Sequence, residues 1–397
     1  MVETFKPETT AQVVEAIAWA SGEETPVEIL GTGTKRGYGR PMGDGNRTIG
    51  HAVDLSGLSG ITLYEPEELV LSAWAGTPLA EIEAAVAEKG QMLAFEPPAL
   101  ARLYGGDGGT LGGMIACNLA GPRRIKAGAA RDHILGVEAV TGRGELVKSG
   151  GRVVKNVTGY DVSKLLTGSF GTLAALTQIT IKVLPAPETI ETVLLTGLNE
   201  AAAVSAMSLA MNSSHEVSAA AFIPADQANA LDGGSEAVAA IRIEGFVPSV
   251  AARSAALQEL LKHAGPVSIL DAEASNAFWA SVRDVEPFVS GDQGLWRLSV
   301  TPSESPAIVA DIPGAAVFYD WGGGLIWCQS EDGAAIRDAV AAHGGGHATL
   351  MRASEDVRRA TEVFEPQPAP LAALSARVKE SFDPRHILNP GRMYEGV

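Results

Sequence analysis

The stretch from Gly109 to Pro185 is rich in glycine, small polar residues and isolated basic residues, where a core segment would carry bulky apolar side chains. Glycine lets a backbone approach a ligand closely, and backbone amides at helix starts attract anions. Residues 108–187 contain 10 Lys and Arg but 4 Asp and Glu, in a chain whose net charge is −17. The pattern predicts a backbone that holds a large anionic cofactor, although a basic partner-docking face would give the same local charge.

Length and composition limit the class of protein. With 397 residues the chain is too long for one ordinary core, and two or three domains are expected. A hydrophobic content of 46% and a charged content of 19% suit a globular protein, and no apolar run reaches the length of a membrane span. The N-terminus MVETFKPETT lacks the pattern of a secretion signal, so we expect a cytoplasmic protein. The acidic net charge argues against a nucleic-acid partner.

The two cysteines, Cys117 and Cys328, are isolated from each other in the sequence. Neither a disulfide framework nor a cysteine-ligated metal or iron–sulfur cluster can be built from this chain alone. We interpret both as reduced structural thiols.

Hydrophobic periodicity predicts alternating helices and strands, with a first helix capped by Thr9 or Thr10. The predicted strands cover residues 27–30, 52–55, 61–64, 69–75, 134–141, 173–184, 239–243, 295–300, 316–319 and 348–352, and the later helices cover 78–90, 199–211 and 250–264. Pro185-Ala-Pro187 ends a long β-branched run and predicts a domain boundary. The expected division is a cofactor domain at 1–187, an α+β domain at 188–365, and a C-terminal segment at 366–397 that begins at the hinge sequence PQPAP.

The first motif is Ile29 to Tyr38, ILGTGTKRGY. A strand that ends in alternating Gly and Thr can turn consecutive N–H groups toward one point, with the Thr32 and Thr34 hydroxyls as further donors for a pyrophosphate. A tight glycine turn with a charged tip is an equally good interpretation of this loop alone. The spacing fits neither a Rossmann fingerprint nor a Walker loop.

The second motif is GTLGGMIACN from Gly109 to Asn118, followed by Gly121. Two glycines that precede a small-residue helix would let backbone amides and the Thr110 hydroxyl lie against a flat or phosphorylated ligand. A closely packed helix gives the same pattern.

A third group of segments comprises Arg131-Asp132, Lys155 to Asp161 (KNVTGYD) and Gly168 to Thr172 (GSFGT). Their order, together with the first two motifs and the terminal FDPRHILNPGRM, resembles the FAD-linked oxidases of the vanillyl-alcohol oxidase or p-cresol methylhydroxylase type. The resemblance covers residues 1–187 and the last fifteen residues. Within that superfamily, GPRR and KNVTGYDVSKLLTGSFGTL are most similar to the smaller flavin subunit of bacterial glycolate oxidase.

The resemblance implies an α+β fold in which two subdomains hold FAD, followed by an α+β cap domain and a C-terminal segment that returns to the flavin. The implied cofactor-binding residues are, around the pyrophosphate, Gly31, Thr32, Gly33, Thr34, Lys35, Arg36 and Gly37; along the flavin and ribityl chain, Thr110, Gly112, Gly113, Asn118 and Gly121; in the second half, Gly171 and Thr172; and near the isoalloxazine, Asn389. No His or Cys matches a position of covalent flavin attachment, so noncovalent FAD is expected.

The resemblance also implies a function and partners. The chain would be an FAD-binding subunit of a multi-subunit glycolate dehydrogenase that oxidises glycolate to glyoxylate. Electrons would pass through an iron–sulfur subunit to quinone, a larger FAD subunit would carry metal-binding histidines, and any membrane contact would run through these partners. Two alternatives remain open: a self-sufficient oxidoreductase for another hydroxy acid or alcohol, and a flavin-free interaction subunit.

The sequence departs from the metal-assisted relatives, which carry an H-x-G-D-G-N segment and a downstream E-H-G segment. Neither occurs here. His343 and His347 are four residues apart and would share a helix face, but the three glycines between them disfavour a helix by about 1 kcal/mol each. We therefore expect a surface turn and no metal site.

Other polar residues have both a functional and a structural interpretation. Arg123, Arg124 and Arg131 could hold a carboxylate bidentately, or pair with acidic residues or cofactor phosphates. Asp132 and Asp161 are expected to bond backbone amides rather than act as bases. His133 and His386 are expected to be structural, and no catalytic base is assigned.

Overall fold

The structure is a computed structural model that describes residues 2–43, 49–106, 108–153, 159–228 and 236–397. The helices in these ranges are α1 (Thr10–Gly22), α2 (Leu79–Ala87), α3 (Ala101–Tyr104), α4 (Leu111–Cys117), α5 (Arg124–Ala127), α6 (Ala130–His133), α7 (Val162–Leu166), α8 (Glu200–Met211), α9 (Ala225–Ala228), α10 (Val247–Leu261), α11 (Ala272–Arg283), α12 (Ser305–Ala310), α13 (Gly333–Ala342), α14 (Glu355–Ala360) and α15 (Ala369–Phe382).

The strands form four sheets within the same ranges. They are β1 (Glu3–Phe5), β2 (Val27–Leu30), β3 (His51–Asp54), β4 (Ile61–Glu65), β5 (Val70–Trp74), β6 (Gln91–Met92), β7 (Ile134–Thr141), β8 (Leu146–Gly150), β9 (Ala174–Lys182), β10 (Leu184–Pro185), β11 (Thr189–Thr196), β12 (Ala219–Ile223), β13 (Val238–Gly245), β14 (Val267–Leu270), β15 (Leu295–Val300), β16 (Ala316–Asp320), β17 (Leu325–Gln329) and β18 (Gly346–Arg352).

A small parallel sheet of order β1-β3-β2 and helix α1 begin the chain. The Thr9 hydroxyl accepts a hydrogen bond from the Gln12 amide and caps α1, as the sequence predicts. Val13 and Ile17 are fully buried because their four-residue spacing places both on one face of the helix. This packing fixes β2, whose last residue leads directly into the glycine loop (residues 31–39).

A five-stranded sheet of order β4-β5-β9-β7-β8 forms the second layer in the described chain. Its pairings are all antiparallel, and β9 pairs with both β5 and β7 at its centre. Helix α4 packs against β9 and β5. The sheet therefore supports the small-residue helix that the second motif contains.

The eight-stranded sheet, of order β14-β11-β13-β12-β16-β17-β15-β18, contains every strand from β11 onward. Two arginine–glutamate pairs join it to the earlier part of the chain: Arg242 donates to Glu96 at 2.8 and 2.9 Å, and Arg123 donates to Glu244 at 2.6 and 3.0 Å. Burial acts to raise the pKa of Glu244, but the guanidinium groups of Arg242 and Arg123 outweigh it and lower that pKa to about 2.

The C-terminal segment returns to β2. Val27 donates its amide proton to the carbonyl of Ile387, and Asn389 donates to the carbonyl of Val27. The Lys379 side chain is fully buried and donates to Asp383 at 2.7 Å and to the carbonyls of Thr172 and Leu388. These bonds tie α15 and the last residues to the core beside the glycine loop.

The structure confirms the mixed α+β class and many predicted elements. The strands predicted at 27–30, 134–141 and 295–300 have the observed bounds. Pro185, predicted to follow a strand, lies in the two-residue strand β10 and pairs with Gln91. The domain boundaries at residues 187 and 365 stay predictions. Within the described residues, none of the helices combines the length and apolar character needed to cross a bilayer.

Candidate functional site

A cleft of about 800 Å³ lies between the glycine loop, helix α4 and the turn at Phe170-Gly171. Its lining residues are Glu28, Ile29, Leu30, Gly31, Thr32, Gly33, Thr34, Lys35, Arg36, Met42, Leu55, Ala75, Thr110, Gly112, Gly113, Ala116, Cys117, Phe170, Gly171, Ala174, Leu176, Asn389 and Arg392. The two glycine-rich regions that the sequence singles out therefore face one another across a single cleft.

Direct contacts join the glycine loop to the segment before α4. The hydroxyls of Thr32 and Thr34 both donate to the carbonyl oxygen of Gly108. A Cβ atom on Gly31 would lie 2.6 Å from the Oγ1 atom of Thr110. The two segments of the chain therefore approach too closely for a side chain at Gly31. The threonine hydroxyls direct their protons at Gly108, and their role as donors to a pyrophosphate stays a prediction.

The backbone amides of the loop are the donors that remain. In the described chain, the N–H groups of Thr32, Gly33, Thr34 and Lys35 have no hydrogen-bond partner. Unpartnered N–H groups of successive residues in a turn can bind an anion. This run of amides suits a phosphate group.

Two arginines hold the carbonyl side of the same loop. Arg392 donates to the carbonyls of Lys35, Arg36 and Arg40, and Arg358 donates to that of Gly39 at 2.8 Å. With its carbonyl oxygens engaged in this way, the loop is fixed in its conformation. The sequence motif gave no signal for either arginine, because both are more than three hundred residues away from the loop.

Lys35 and Arg392 bring positive charge to the cleft. Burial lowers the pKa of both groups, and neither forms an ion pair with a carboxylate among the described residues. Arg36, by contrast, is compensated by a bidentate pair with Glu28 at 2.7 and 2.8 Å. Uncompensated buried cations in a cleft favour an anionic ligand.

Helix α4 presents a flat face to the cleft. Gly112, Gly113, Ala116 and Cys117 all line it, because residues four apart share a helix face. The two glycines were expected to precede the helix, but Thr110 caps α4 and both lie inside it. A ring system can lie against such a face without steric hindrance.

The amides at the start of α4 are already used by the protein. Leu111 donates to the carbonyl of Thr77, Gly112 to that of Ala75, and Gly113 to the Thr110 hydroxyl. These amides therefore have partners within the chain, and their contact with a ligand stays a prediction. Helix α4 contributes its small side chains to the cleft, and the glycine loop contributes the donors.

Cys117 is a cleft residue that the sequence interpretation treated as structural. Burial raises the pKa of its thiol, and the charges of Lys35 and Arg392 only partly oppose this effect. The signal for its position was available, since it lies four residues after Gly113 on a helix.

Asn389 connects the two sides of the cleft. Its Oδ1 atom accepts a hydrogen bond from the Ile29 amide at 2.7 Å, and its Nδ2 atom donates to the Phe170 carbonyl at 2.7 Å. A Cβ on Gly171 would lie 2.7 Å from the same Nδ2 atom. Asn389 lines the cleft as expected, and it holds β2 and the Phe170-Gly171 turn in place.

Four predicted site residues do not line the cleft. A Cβ on Gly37 would face Tyr104, and Asn118 accepts a hydrogen bond from the Arg131 amide. Gly121 accepts from the indole of Trp321, and Thr172 accepts from Lys379. Their role in cofactor binding stays a prediction.

The aspartates with two interpretations have structural contacts. Asp132 accepts from the Ala129 amide, and Asp161 accepts from the Lys164 amide and caps α7. His133 is fully buried with its Nε2 atom 2.9 Å from the Ala127 carbonyl, and His386 lies 3.2 Å from Glu380.

The histidine pair lies on two different elements. His343 follows α13 and contacts Asp311 at 2.8 Å, whereas His347 lies in β18. In the part of the chain that the structure describes, no three His, Cys, Asp or Glu side chains converge in a way that suits a metal ion. Residues 155–158 of the third motif lie outside the described residues.

The cleft fits FAD. The glycine loop offers four unpartnered amides and the Lys35 ammonium for a pyrophosphate, and Arg392 adds a second cation. The small-residue face of α4 leaves space for a flat ring.

Comparisons with known proteins agree with this geometry. Residues 3–150 match the family model of an FAD binding domain. The chain is 37% identical over 390 residues to the glycolate oxidase subunit GlcE of Escherichia coli (strain K12), covering 96% of both chains. It is 26% identical to the glycolate oxidase subunit GlcD of Bacillus subtilis (strain 168), covering 98% of this chain and 88% of the relative.

Among solved structures, p-cresol methylhydroxylase with substrate bound is similar at a TM-score of 0.75 and 15% identity, covering 99% of this chain and 88% of that one. This likeness confirms the expected fold class. The chain is identical to GlcE at more than a third of the aligned positions over nearly the full length of both proteins. It therefore belongs to the family of FAD-linked oxidoreductases that includes the glycolate oxidase subunit GlcE.

Proposed function

We propose that this chain is the FAD-binding subunit of a multi-subunit glycolate dehydrogenase, which oxidises glycolate to glyoxylate. The observation that carries the proposal is the single cleft in which four free loop amides, Lys35 and Arg392 face the small-residue side of α4. Similarity over nearly the full chain to a glycolate oxidase subunit supports the choice of substrate.

The residues of the cleft have separate tasks in this proposal. The amides of residues 32–35, together with Lys35 and Arg392, hold the pyrophosphate, while Gly112, Gly113 and Ala116 leave room for the ring. Asn389 and Phe170 fix the far wall. Bound FAD supplies the redox chemistry, in which two electrons and two protons are removed from the alcohol to leave the carbonyl product.

The proposal assigns the remaining redox groups to partner chains. With two cysteines, this chain has too few thiolates for a four-cysteine iron–sulfur cluster. An iron–sulfur subunit would take the electrons onward to quinone, and a larger flavin subunit would supply the metal-binding histidines. We place the complex in the cytoplasm, with membrane contact through these partners.

The test compares the purified chain with the purified complex. The isolated chain is expected to contain flavin but to reduce an electron-accepting dye slowly with glycolate, whereas the complex is expected to do so rapidly. Iron measured in a native pull-down should appear with the partners and be absent from the isolated chain. Robust glycolate oxidation by the isolated chain would overturn its dependence on partner subunits. Absence of flavin from both samples would overturn the whole proposal.

A further inference from the structure

Two arginines lie against one tryptophan where the eight-stranded sheet meets the earlier part of the chain. The guanidinium carbon of Arg124 lies 4.3 Å from the centre of the Trp321 ring, and that of Arg297 lies 5.3 Å from the same centre. Arg124 is on α5, Arg297 is on β15, and Trp321 directly follows β16. Three separate elements therefore bring two positive charges to one indole.

Neither charge has an acidic partner. In the described ranges, no carboxylate forms an ion pair with Arg124 or Arg297, and Arg297 adds to the effect of burial in lowering the pKa of Arg124. Asp132 acts in the opposite direction, but one of its oxygens is engaged by the Ala129 amide. Two like charges at close range are unfavourable unless an anion lies with them.

Neighbouring arginines at the same junction show the contrast. Arg123 and Arg242 each form a bidentate pair with a glutamate, Glu244 and Glu96 respectively. The pair at Trp321 lacks such a glutamate, although the same surfaces meet there. A planar guanidinium matches a carboxylate in geometry, so the missing partner is of that chemical type.

The arginine pair is connected to the cofactor cleft through aromatic side chains. Burial raises the pKa of Tyr38, and the charge of Arg297 and its hydrogen bond to the phenol oppose this rise. The Tyr38 ring meets the ring of Phe170 edge-on at 4.9 Å. Phe170 in turn lines the cleft. Because Tyr38 belongs to the glycine loop, the arginine pair is linked to that loop as well as to Phe170.

The three side chains differ in exposure. Trp321 is 5% exposed and Arg297 is half-buried, whereas Arg124 is exposed. Arg124 is therefore the member of the pair that a ligand in solution meets first. The indole supplies an apolar wall, and the two guanidinium groups supply the charge.

We propose that Arg124, Arg297 and Trp321 form a binding site for the carboxylate of a small 2-hydroxy acid. The inference rests on the proposed function for the choice of acid, and on the geometry of the pair for the site. It gives this subunit its own means of holding a carboxylate without a metal ion.

The test measures binding of oxalate, an unreactive two-carbon acid, and of glycolate to the full chain loaded with FAD, by calorimetry. Saturable binding is expected for the wild type. Arg297→Gln and Arg124→Gln are each expected to weaken it at least tenfold, which corresponds to about 1.4 kcal/mol. Arg297→Lys keeps the charge but loses the bidentate geometry. Its affinity is expected to lie between those of the wild type and Arg297→Gln.

Arg359→Gln is the matched control, because Arg359 is exposed and pairs with Glu355 on α14. It should leave the affinity unchanged. Flavin content and the melting temperature establish that each variant is folded. If Arg297→Gln does not fold, the affinities of Arg297→Lys and Arg124→Gln for the two acids decide whether the site exists.

The possible results separate the two proposals. A chain that holds flavin but binds neither acid, or binds both equally well after the two glutamine substitutions, overturns the carboxylate site and leaves the proposed function standing. A chain without flavin overturns the proposed function itself. Loss of subunit assembly in Arg124→Gln, with no acid binding by the wild type, would instead assign the arginines to an acidic side chain of a partner and overturn the site.

Discussion

The hydroxyl of Thr32 donates a hydrogen bond to the carbonyl of Gly108 at 2.9 Å, across 76 residues of sequence. This bond joins the two glycine-rich regions that define the cleft. It also removes the hydroxyl proton from the set of donors available to a ligand, and leaves the amides of residues 32–35 as the donors of the loop.

Gly31→Val is expected to reduce bound flavin at least tenfold. The first added carbon would lie 2.6 Å from the Thr110 Oγ1 atom, so the loop and α4 would have to separate. Overpacking of this kind costs about 1–3 kcal/mol. The flavin absorbance of purified protein measures the effect. Gly22→Ala, where nothing lies within 4 Å, serves as the control and should retain its flavin.

Lys35→Met is expected to weaken FAD binding and leave the flavin-free protein equally or more stable. Burial disfavours the ammonium of Lys35, which lowers its pKa, so its removal relieves a cost in the empty cleft. Loss of one charged hydrogen bond of about 1.5–3 kcal/mol corresponds to roughly 10- to 100-fold in affinity. Titration of flavin-free protein with FAD and thermal melts measure the two effects. Unchanged affinity would remove Lys35 from the site.

Local sequence was sufficient to predict the elements that carry the cleft. The run Val27–Leu30 followed by glycine predicts a strand and a loop, and Asn199 predicts the start of α8 because an N-cap acts within one turn. The family resemblance, rather than the local pattern, pointed to Gly31 to Arg36 as cofactor residues, and all six line the cleft.

Contacts between distant segments could not be predicted in this way. Arg392 and Arg358 reach the carbonyls of the glycine loop from more than three hundred residues away, and no local periodicity reports such a contact. Gly121 and Thr172 were expected at the cofactor because their segments resemble cofactor-binding segments. Their carbonyls instead face Trp321 and Lys379, which tertiary packing decides.

Lys379→Met is expected to destabilise the fold by about 3–5 kcal/mol, because it leaves the carboxylate of Asp383 buried without its counter-charge. The substitution also removes the hydrogen bond from Lys379 to the carbonyl of Leu388, the residue before Asn389. Denaturant unfolding measures the loss. Lys262→Met, at an exposed i,i+3 pair, is the control and should change stability by less than about 0.5 kcal/mol.

Asp320→Asn is expected to change how stability depends on pH. Burial raises the pKa of Asp320 to about 7, and the carboxyl accepts the Trp321 amide, which asparagine can also do. Between about pH 4 and 7 the native state binds the proton that the unfolded state has released, so stability falls as pH rises through this window. The variant should lack this fall and, at pH 8, exceed the wild type by about 4 kcal/mol. Identical pH profiles of melting would contradict this assignment.

The molar ratio of FAD to protein, measured in freshly purified full chain after release of the flavin by denaturation, tests the central claim most directly. One FAD per chain, released without proteolysis and lost from Gly31→Val, is the predicted result. Protein that contains no FAD and does not take it up on incubation, while remaining folded, would contradict the claim that the two glycine-rich regions hold a flavin dinucleotide.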